Sequence, residues 1–267
     1  MSRRARLIIT AISLLPIQAL AAQPFALSLR VQNDSAQVLP AAAVCGLQPQ
    51  ALDGRAYAWQ IAAARPLRQG DGRYCLEHDE LGPYQAQRFD LYWQATAPLA
   101  AGTQADAPAF DLLHTPSTPL QQLAQSFAAY PQSERVARIH AWMVDNIAFT
   151  GIRRGIEGAE HALQTRAGDC TEHMLLAAEL LQRNGVTIRR VLGVAIPKDQ
   201  HRITADALHN WIEYLDNGSW LVFDSSRRLL GTPQGARYLA LHYYQSSQQL
   251  TLEAFTTDSP QLKLFLQ

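Results

Sequence analysis

The chain has 267 residues, of which 48% are hydrophobic and 17% are charged, so it can bury the core of one or two domains and is not a disordered chain. Its formal net charge is zero. Because non-specific nucleic-acid binding depends on a basic surface, we expect no nucleic-acid partner.

Residues 1–21 have the three-part pattern of a secretory signal peptide. Arg3, Arg4 and Arg6 precede a short apolar run, and Ala19 and Ala21 supply the small residues of a cleavage site. The run is shorter than the roughly 20 apolar residues that a membrane-spanning helix needs. We therefore expect cleavage near Ala21, a periplasmic or secreted mature protein, and no stable membrane span after cleavage. An uncleaved anchor is the alternative.

The three cysteines are an odd number for an oxidising compartment, where a leftover thiol is a candidate reactive group. Cys45 and Cys75 lie in the same early segment, whereas Cys170 lies far along the chain in different surroundings. Our hypothesis is a Cys45–Cys75 disulfide and a free Cys170. The sequence alone leaves three pairings open.

The remaining chain is predicted to contain two folded segments. Residues 22–97 include FALSLRV, YAWQIAAA and RFDLYWQA, which are typical of strands. They predict a small β-rich, sandwich-like domain whose role is scaffolding or recognition. Residues 98–119 are rich in Ala, Pro, Thr and Gly, as in a linker. Residues 120–267 show helical periodicity first and strand patterns later, which predicts an α+β fold with an antiparallel sheet.

Local signals around Cys170 predict a helix start. Asp169 suits an N-cap position, and Glu172 three residues later gives the spacing of a capping box. The helix would run from Cys170 to about Arg183, so that its unpaired N–H groups and its dipole favour a thiolate. Gly168 just before it leaves space for a substrate backbone. The alternative is a buried, inert cysteine, since free cysteines are often buried.

A predicted hairpin supplies partners for the thiol. Asn217-Gly218 is a strong two-residue turn signal, and with that turn Trp211 faces Asp224. His209 then lies diagonally from Asp224 on the same strand face, within reach of one hydrogen bond. A register slip of one residue would put them on opposite faces. Taken singly, His209 could be a solvated strand histidine and Asp224 a strand-end cap.

These residues fall in three motifs that occur in order, RAGDCTEH, HNW and FDSS, and together they resemble the transglutaminase-like superfamily over roughly residues 120–230. The resemblance implies a papain-like core of helices packed on an antiparallel sheet, with Cys170, His209 and Asp224 as a catalytic triad. The chain has HNW where His-Ala-Trp is commoner and Asp-Ser-Ser where Asp-Pro-Thr is commoner. Neither departure touches the triad.

The resemblance and the residue types together imply a mechanism. Cys170 would attack a carbonyl carbon to form a thioester, while His209 moves the proton and Asp224 orients the imidazole. We expect a cysteine hydrolase of amide bonds in a peptide or protein substrate. Protein-glutamine acyl transfer by the same triad and a non-catalytic binding module on the same scaffold are the alternatives. Trp142 or Trp211 could supply a second oxyanion donor, and Trp211 could equally pack beside the histidine.

A metal site is the remaining interpretation. Cys170 and His173 form a C-x-x-H pair, and His140, His161 and His201 lie elsewhere. Zinc sites need four protein ligands, or three and a water, and no second paired motif occurs. We therefore expect neither a metal nor a cofactor.

Overall fold

A computed structural model of the chain describes residues 23–70, 72–99, 115–153 and 155–267. The predicted signal peptide, residues 1–21, lies outside the described residues, and so does most of the predicted linker, residues 98–119. No helix in the described part of the chain is long and apolar enough to cross a membrane.

The strands are β1 (Phe25–Asn33), β2 (Ala42–Leu47), β3 (Ala51–Leu52), β4 (Arg55–Ala63), β5 (Leu67–Gly70), β6 (Arg73–His78), β7 (Ala86–Pro98), β8 (Ala148–Phe149), β9 (Ala167–Gly168), β10 (Ile188–Pro197), β11 (Arg202–Ile203), β12 (Leu208–Asp216), β13 (Ser219–Asp224), β14 (Leu229–Gly231), β15 (Ala236–Tyr243), β16 (Phe255–Thr257) and β17 (Leu262–Leu266). The α-helices are α1 (Thr118–Ala128), α2 (Gln132–Asn146), α3 (Gly158–Thr165) and α4 (Cys170–Arg183). Helices followed by antiparallel strands confirm the predicted α+β class.

One 11-stranded sheet dominates the fold, in the order β11-β1-β7-β4-β3-β15-β10-β12-β13-β14, with β17 also paired to β1. Strands from both predicted segments meet in it, because β3 pairs with β15 and β1 pairs with β11 and β17. The division into an N-terminal domain and a catalytic domain stays a prediction, but the two segments share backbone hydrogen bonds.

A smaller sheet, in the order β16-β2-β6-β5, carries the disulfide. Cys45 on β2 and Cys75 on β6 lie directly opposite each other in the antiparallel register and are bonded, while Cys170 is a free, buried cysteine. The cysteine pairing expected from their placement in the sequence is thus the pairing in the structure.

The sheet is buried on both faces where β10 lies between β15 and β12. Val191 packs in a core cluster with Trp211, whereas its neighbour Leu192 packs in the larger cluster on the other face. That larger cluster also contains Met174 of α4 and Ile212 of β12. Apolar residues at helical spacing thus hold α4 against the strands that carry the predicted histidine and aspartate.

Gly193 of β10 is directly opposite His209 of β12, and a Cβ atom there would collide with the Leu239 carbonyl and the Trp211 ring. We expect Gly193→Ala to lower the free energy of unfolding by about 2 kcal/mol, because a packed core does not accept an added methyl group without strain. Urea unfolding measures the difference. Gly70→Ala is the matched control, since a Cβ at Gly70 meets nothing within 4 Å; equal stability losses in the two variants would contradict the prediction.

Candidate active site

Helix α4 begins at Cys170, as the sequence predicts, and a complete capping box fixes that start. The Asp169 side chain accepts a hydrogen bond from the Thr171 backbone N–H at 2.7 Å, and the Glu172 side chain accepts one from the Asp169 N–H at 3.3 Å. Cys170 therefore occupies the first helical position, where the dipole is positive and backbone N–H groups lack helical partners. This position stabilises negative charge on a thiolate or on an oxyanion beside it.

Glu172 is buried below the helix start and holds the preceding loop. Its Oε1 accepts hydrogen bonds from the backbone N–H groups of Glu157 at 3.0 Å and Gly158 at 3.4 Å. Burial and the hydrogen-bonded Asp169 carboxyl raise the pKa of Glu172. Burial alone would also raise the pKa of Asp169, but hydrogen bonds from Glu172 and from backbone donors lower it. The Glu172 carboxyl is thus the one of the pair that keeps a proton to higher pH.

Gly168 has a packing role that the sequence does not reveal. It is buried, and a Cβ atom there would press against the Glu172 side chain. The glycine therefore lets Glu172 fold back over the helix start and complete the capping box. Sequence reasoning assigned Gly168 to substrate access; the contact made in the structure is with Glu172.

The β12–β13 hairpin has the register that the sequence predicts. Asn217 and Gly218 both have positive φ angles, 48° and 77°, as a type I′ turn requires. Asp216 pairs with Ser219 and Ile212 with Phe223. Continued to the end of β13, this register puts His209 and Asp224 on one strand face, and their Nε2 and Oδ2 atoms lie 2.7 Å apart.

Asp224 is buried and accepts four hydrogen bonds. Besides His209, the donors are the Tyr238 hydroxyl at 2.8 Å, the Ser226 hydroxyl at 2.7 Å and the Arg227 backbone N–H at 3.2 Å. Burial alone would raise the pKa of Asp224, but the hydrogen bond and charge of His209, with the hydroxyl donors, lower it to about 2. The carboxylate therefore stays ionised at every pH at which the protein would work.

His209 is buried between that carboxylate and the thiol. Burial alone would lower the pKa of the imidazole, but hydrogen bonds to Asp224 and Cys170 outweigh it and raise the pKa to about 9. Because Nε2 donates to Asp224, Nδ1 is the ring nitrogen left for the Cys170 side chain. The order of contacts is thus thiol, imidazole and carboxylate.

The structure also places the two tryptophans named from the sequence. The Trp211 ring lies nearly parallel to the His209 ring, with centroids 6.3 Å apart, and it meets the Tyr238 ring edge-on at 5.1 Å. Trp211 therefore packs beside the histidine. The Trp142 ring lies 5.0 Å from the Arg166 guanidinium carbon, in a cation–π contact.

Several supporting residues were missed in the sequence. Tyr238 is on β15, and nothing in the spacing along the chain predicts that its hydroxyl reaches Asp224. Asn210 donates to the Thr171 hydroxyl at 3.0 Å and accepts from the Tyr244 hydroxyl at 3.0 Å, which ties β12 to the first turn of α4. Ser226 could have been found, because a serine two residues after an aspartate often bonds locally.

The histidines of the metal interpretation lie in separate places. His173 Nδ1 is 2.8 Å from the Ser225 hydroxyl, His140 meets Phe223 edge-on, and His161 pairs with Glu157 at 2.9 Å. Within the described residues, no three side chains of His, Cys, Asp or Glu are placed to hold a metal ion.

Residues 121–225 match the family model of the transglutaminase-like superfamily. No curated protein matches the chain. A proposed cysteine protease from Cytophaga hutchinsonii is 14% identical, with a TM-score of 0.50 over 92% of this chain and 91% of that one. The periplasmic domain of TgpA from Pseudomonas aeruginosa is 18% identical, with a TM-score of 0.40 over 76% of this chain and 88% of that one. The family match and the first structural likeness confirm the predicted transglutaminase-like fold.

We expect Asp224→Asn to lower the pKa of His209 from its value of about 9. The amide keeps the shape of the carboxylate but removes a negative charge that raises the pKa of the ring against the effect of burial. NMR titration of the His209 ring signals measures the change. Asp216→Asn, at the exposed end of the same hairpin, is the control and should leave the His209 titration where it is. A His209 pKa that is the same in Asp224→Asn and wild type would contradict the assignment.

Proposed function

We propose that this chain is a cysteine-dependent hydrolase of amide bonds in a peptide or protein, with Cys170, His209 and Asp224 as its catalytic residues. The match of residues 121–225 to the family model of the transglutaminase-like superfamily supports this proposal. One observation carries the proposal. A free thiol at the amino end of α4 adjoins an imidazole that is itself hydrogen-bonded at 2.7 Å to a buried carboxylate. A nucleophile, a base next to it and a third group that orients the base recur in enzymes that form an acyl-enzyme on a thiol.

The reaction follows from the positions of these groups. The Cys170 sulfur attacks the substrate carbonyl carbon, and negative charge moves to the carbonyl oxygen, where the unpaired Cys170 N–H at the helix start can donate to it. His209, protonated as an imidazolium, gives its proton to the departing amine, and the C–N bond breaks to leave a thioester. His209 then takes a proton from water, which attacks the thioester and releases the acid.

Asp224 acts through His209. Its carboxylate fixes the Nε2–H tautomer, so that Nδ1 faces the sulfur, and it stabilises the positive charge on the ring. The other three donors to Asp224 hold the carboxylate in place and keep it ionised. Tyr238 and Ser226 are therefore positioning residues in this mechanism, and Trp211 supports the ring from the side.

The Cys170 thiol should react faster in an enzyme than in a non-catalytic binding module. Cys170 is the free cysteine, so the rate of alkylation by iodoacetamide at pH 7 reports on it alone. We expect His209→Ala to slow the alkylation by about 10²-fold, because a positioned base contributes that much or more to such steps. Electrospray mass spectrometry follows the rate. His161→Ala, which removes another histidine paired with a carboxylate, is the control. Alkylation at the rate of a free thiol in all three proteins would favour the binding module.

Acyl transfer to an amine is the second candidate, and the low exposure of Cys170, 7%, is the observation that favours it. A transferase must keep water away from its thioester. We expect wild type, but not Cys170→Ala, to hydrolyse cell-envelope peptides to an acid and an amine whose summed mass exceeds that of the substrate by one water. Mass spectrometry in the presence of a primary amine separates the outcomes: a loss of ammonia with amine incorporation would establish transfer, and no difference from Cys170→Ala would exclude both reactions.

We place the working protein outside the cytoplasm. The disulfide between Cys45 and Cys75 favours an oxidising compartment, because cytosolic thiols are kept reduced. The signal-peptide pattern of residues 1–21 favours the same location, with a mature chain that starts near Ala21 in the periplasm or the medium.

A further inference from the structure

Three large apolar side chains stand exposed at the end of β8 and in the loop that leads from β8 to α3. Phe149 is 50% exposed, Ile152 is 68% exposed and Ile156 is 40% exposed. Single exposed hydrophobic residues are ordinary, but here three lie within eight positions of the chain, and the residues that the structure describes bury none of them. We call these three residues the apolar lip.

The backbone that carries the apolar lip is hydrogen-bonded to residues on both sides of Cys170. The Thr150 N–H donates to the Gly168 carbonyl at 3.0 Å, and the Arg153 N–H donates to the Asp169 carboxylate at 3.1 Å. At the end of the loop, the Glu157 N–H donates to Glu172 at 3.0 Å. The backbone that carries the lip therefore runs along the amino end of α4, where a substrate carbonyl must come to meet Cys170.

From this placement we propose that the apolar lip is the specificity element of the site and binds an apolar side chain of the peptide substrate on the acyl side of the scissile bond. The inference rests on the proposed function and names its substrate class. A peptide whose carbonyl lies at the start of α4 must run past this loop. Transfer of its apolar side chain from water onto the lip favours binding in proportion to the area covered.

The charges around the lip favour a peptide over a membrane surface. Binding to anionic lipid needs unpaired cations beside the apolar residues. Arg153 lies within the loop but is paired with Glu157 at 3.4 Å. Glu157 is also 2.9 Å from His161. The charged side chains of the loop that the structure describes are thus paired with one another or with His161, which favours a neutral apolar group delivered to Cys170 as the occupant.

Two irreversible probes test the proposal without requiring turnover. N-acetyl-Leu-Leu chloromethyl ketone and N-acetyl-Gln-Gln chloromethyl ketone both alkylate Cys170: the sulfur bonds to the methylene carbon and chloride is released. The two probes differ in the polarity of the side chains on the acyl side. We expect the Leu-Leu probe to label wild type about tenfold faster, the discrimination that an apolar site achieves for one or two methylene groups. In Ile152→Ser/Ile156→Ser the ratio of the two rates should fall to about threefold or less.

Val38→Ser is the matched control, because Val38 is 55% exposed and lies outside the loop; its rate ratio should equal that of wild type. Equal labelling by the two probes in wild type, or an unchanged ratio in the lip variant, would overturn the proposal while leaving the catalytic cysteine in place. A third result would also overturn it: wild type, but not the lip variant, sediments with phosphatidylethanolamine and phosphatidylglycerol vesicles, while the ratio of the two labelling rates is the same in both proteins. Failure of the proposed function differs: both probes would then label Cys170 no faster than a free thiol, with no effect of His209→Ala, and the lip proposal would fall with it.

Discussion

The hydrogen bond between His209 Nε2 and Asp224 Oδ2 is the interaction on which the site depends. Both groups are buried, and burying a charged pair costs more than its attraction returns unless further hydrogen bonds satisfy it. Asp224 meets that condition with three additional donors. Together with Cys170, Asp224 raises the pKa of the imidazole to about 9, and the bond to Asp224 leaves the other ring nitrogen for Cys170.

That bond requires the two halves of the site to be held in register. The imidazole belongs to the sheet, whereas the thiol belongs to a helix, and packing of α4 against β12 sets the distance between them. Asn210 adds a direct link at that end of the helix, since it donates to Thr171, the residue after Cys170, and accepts from Tyr244. Asn210 is thus a polar link between the sheet and the first turn of the helix.

Local signals explain why so much of the candidate site could be predicted. The capping box around Cys170 and the Asn217-Gly218 turn each depend on residues a few positions apart, and the hairpin register then follows from strand geometry. Contacts between distant strands have no such signal. Tyr238 reaches Asp224 only because β15 lies beside β10 in the sheet. The packing of Gly168 against the Cβ of Glu172 likewise depends on how the chain turns into α4, which the sequence does not specify.

The N-terminal segment contributes to the same network through the backbone of Tyr238. Asp53, just after β3, donates its N–H to the Tyr238 carbonyl at 2.9 Å, and its side chain accepts the Tyr238 N–H at 3.3 Å. Asp53 has a positive φ angle of 49° in the turn after β3. Its N–H and its carboxylate both bond the backbone of Tyr238. Because the Tyr238 hydroxyl holds Asp224, the early strands stabilise the carboxylate that orients the imidazole. A segment that resembles a separate domain in the sequence is thus part of the structure that fixes the geometry around Cys170.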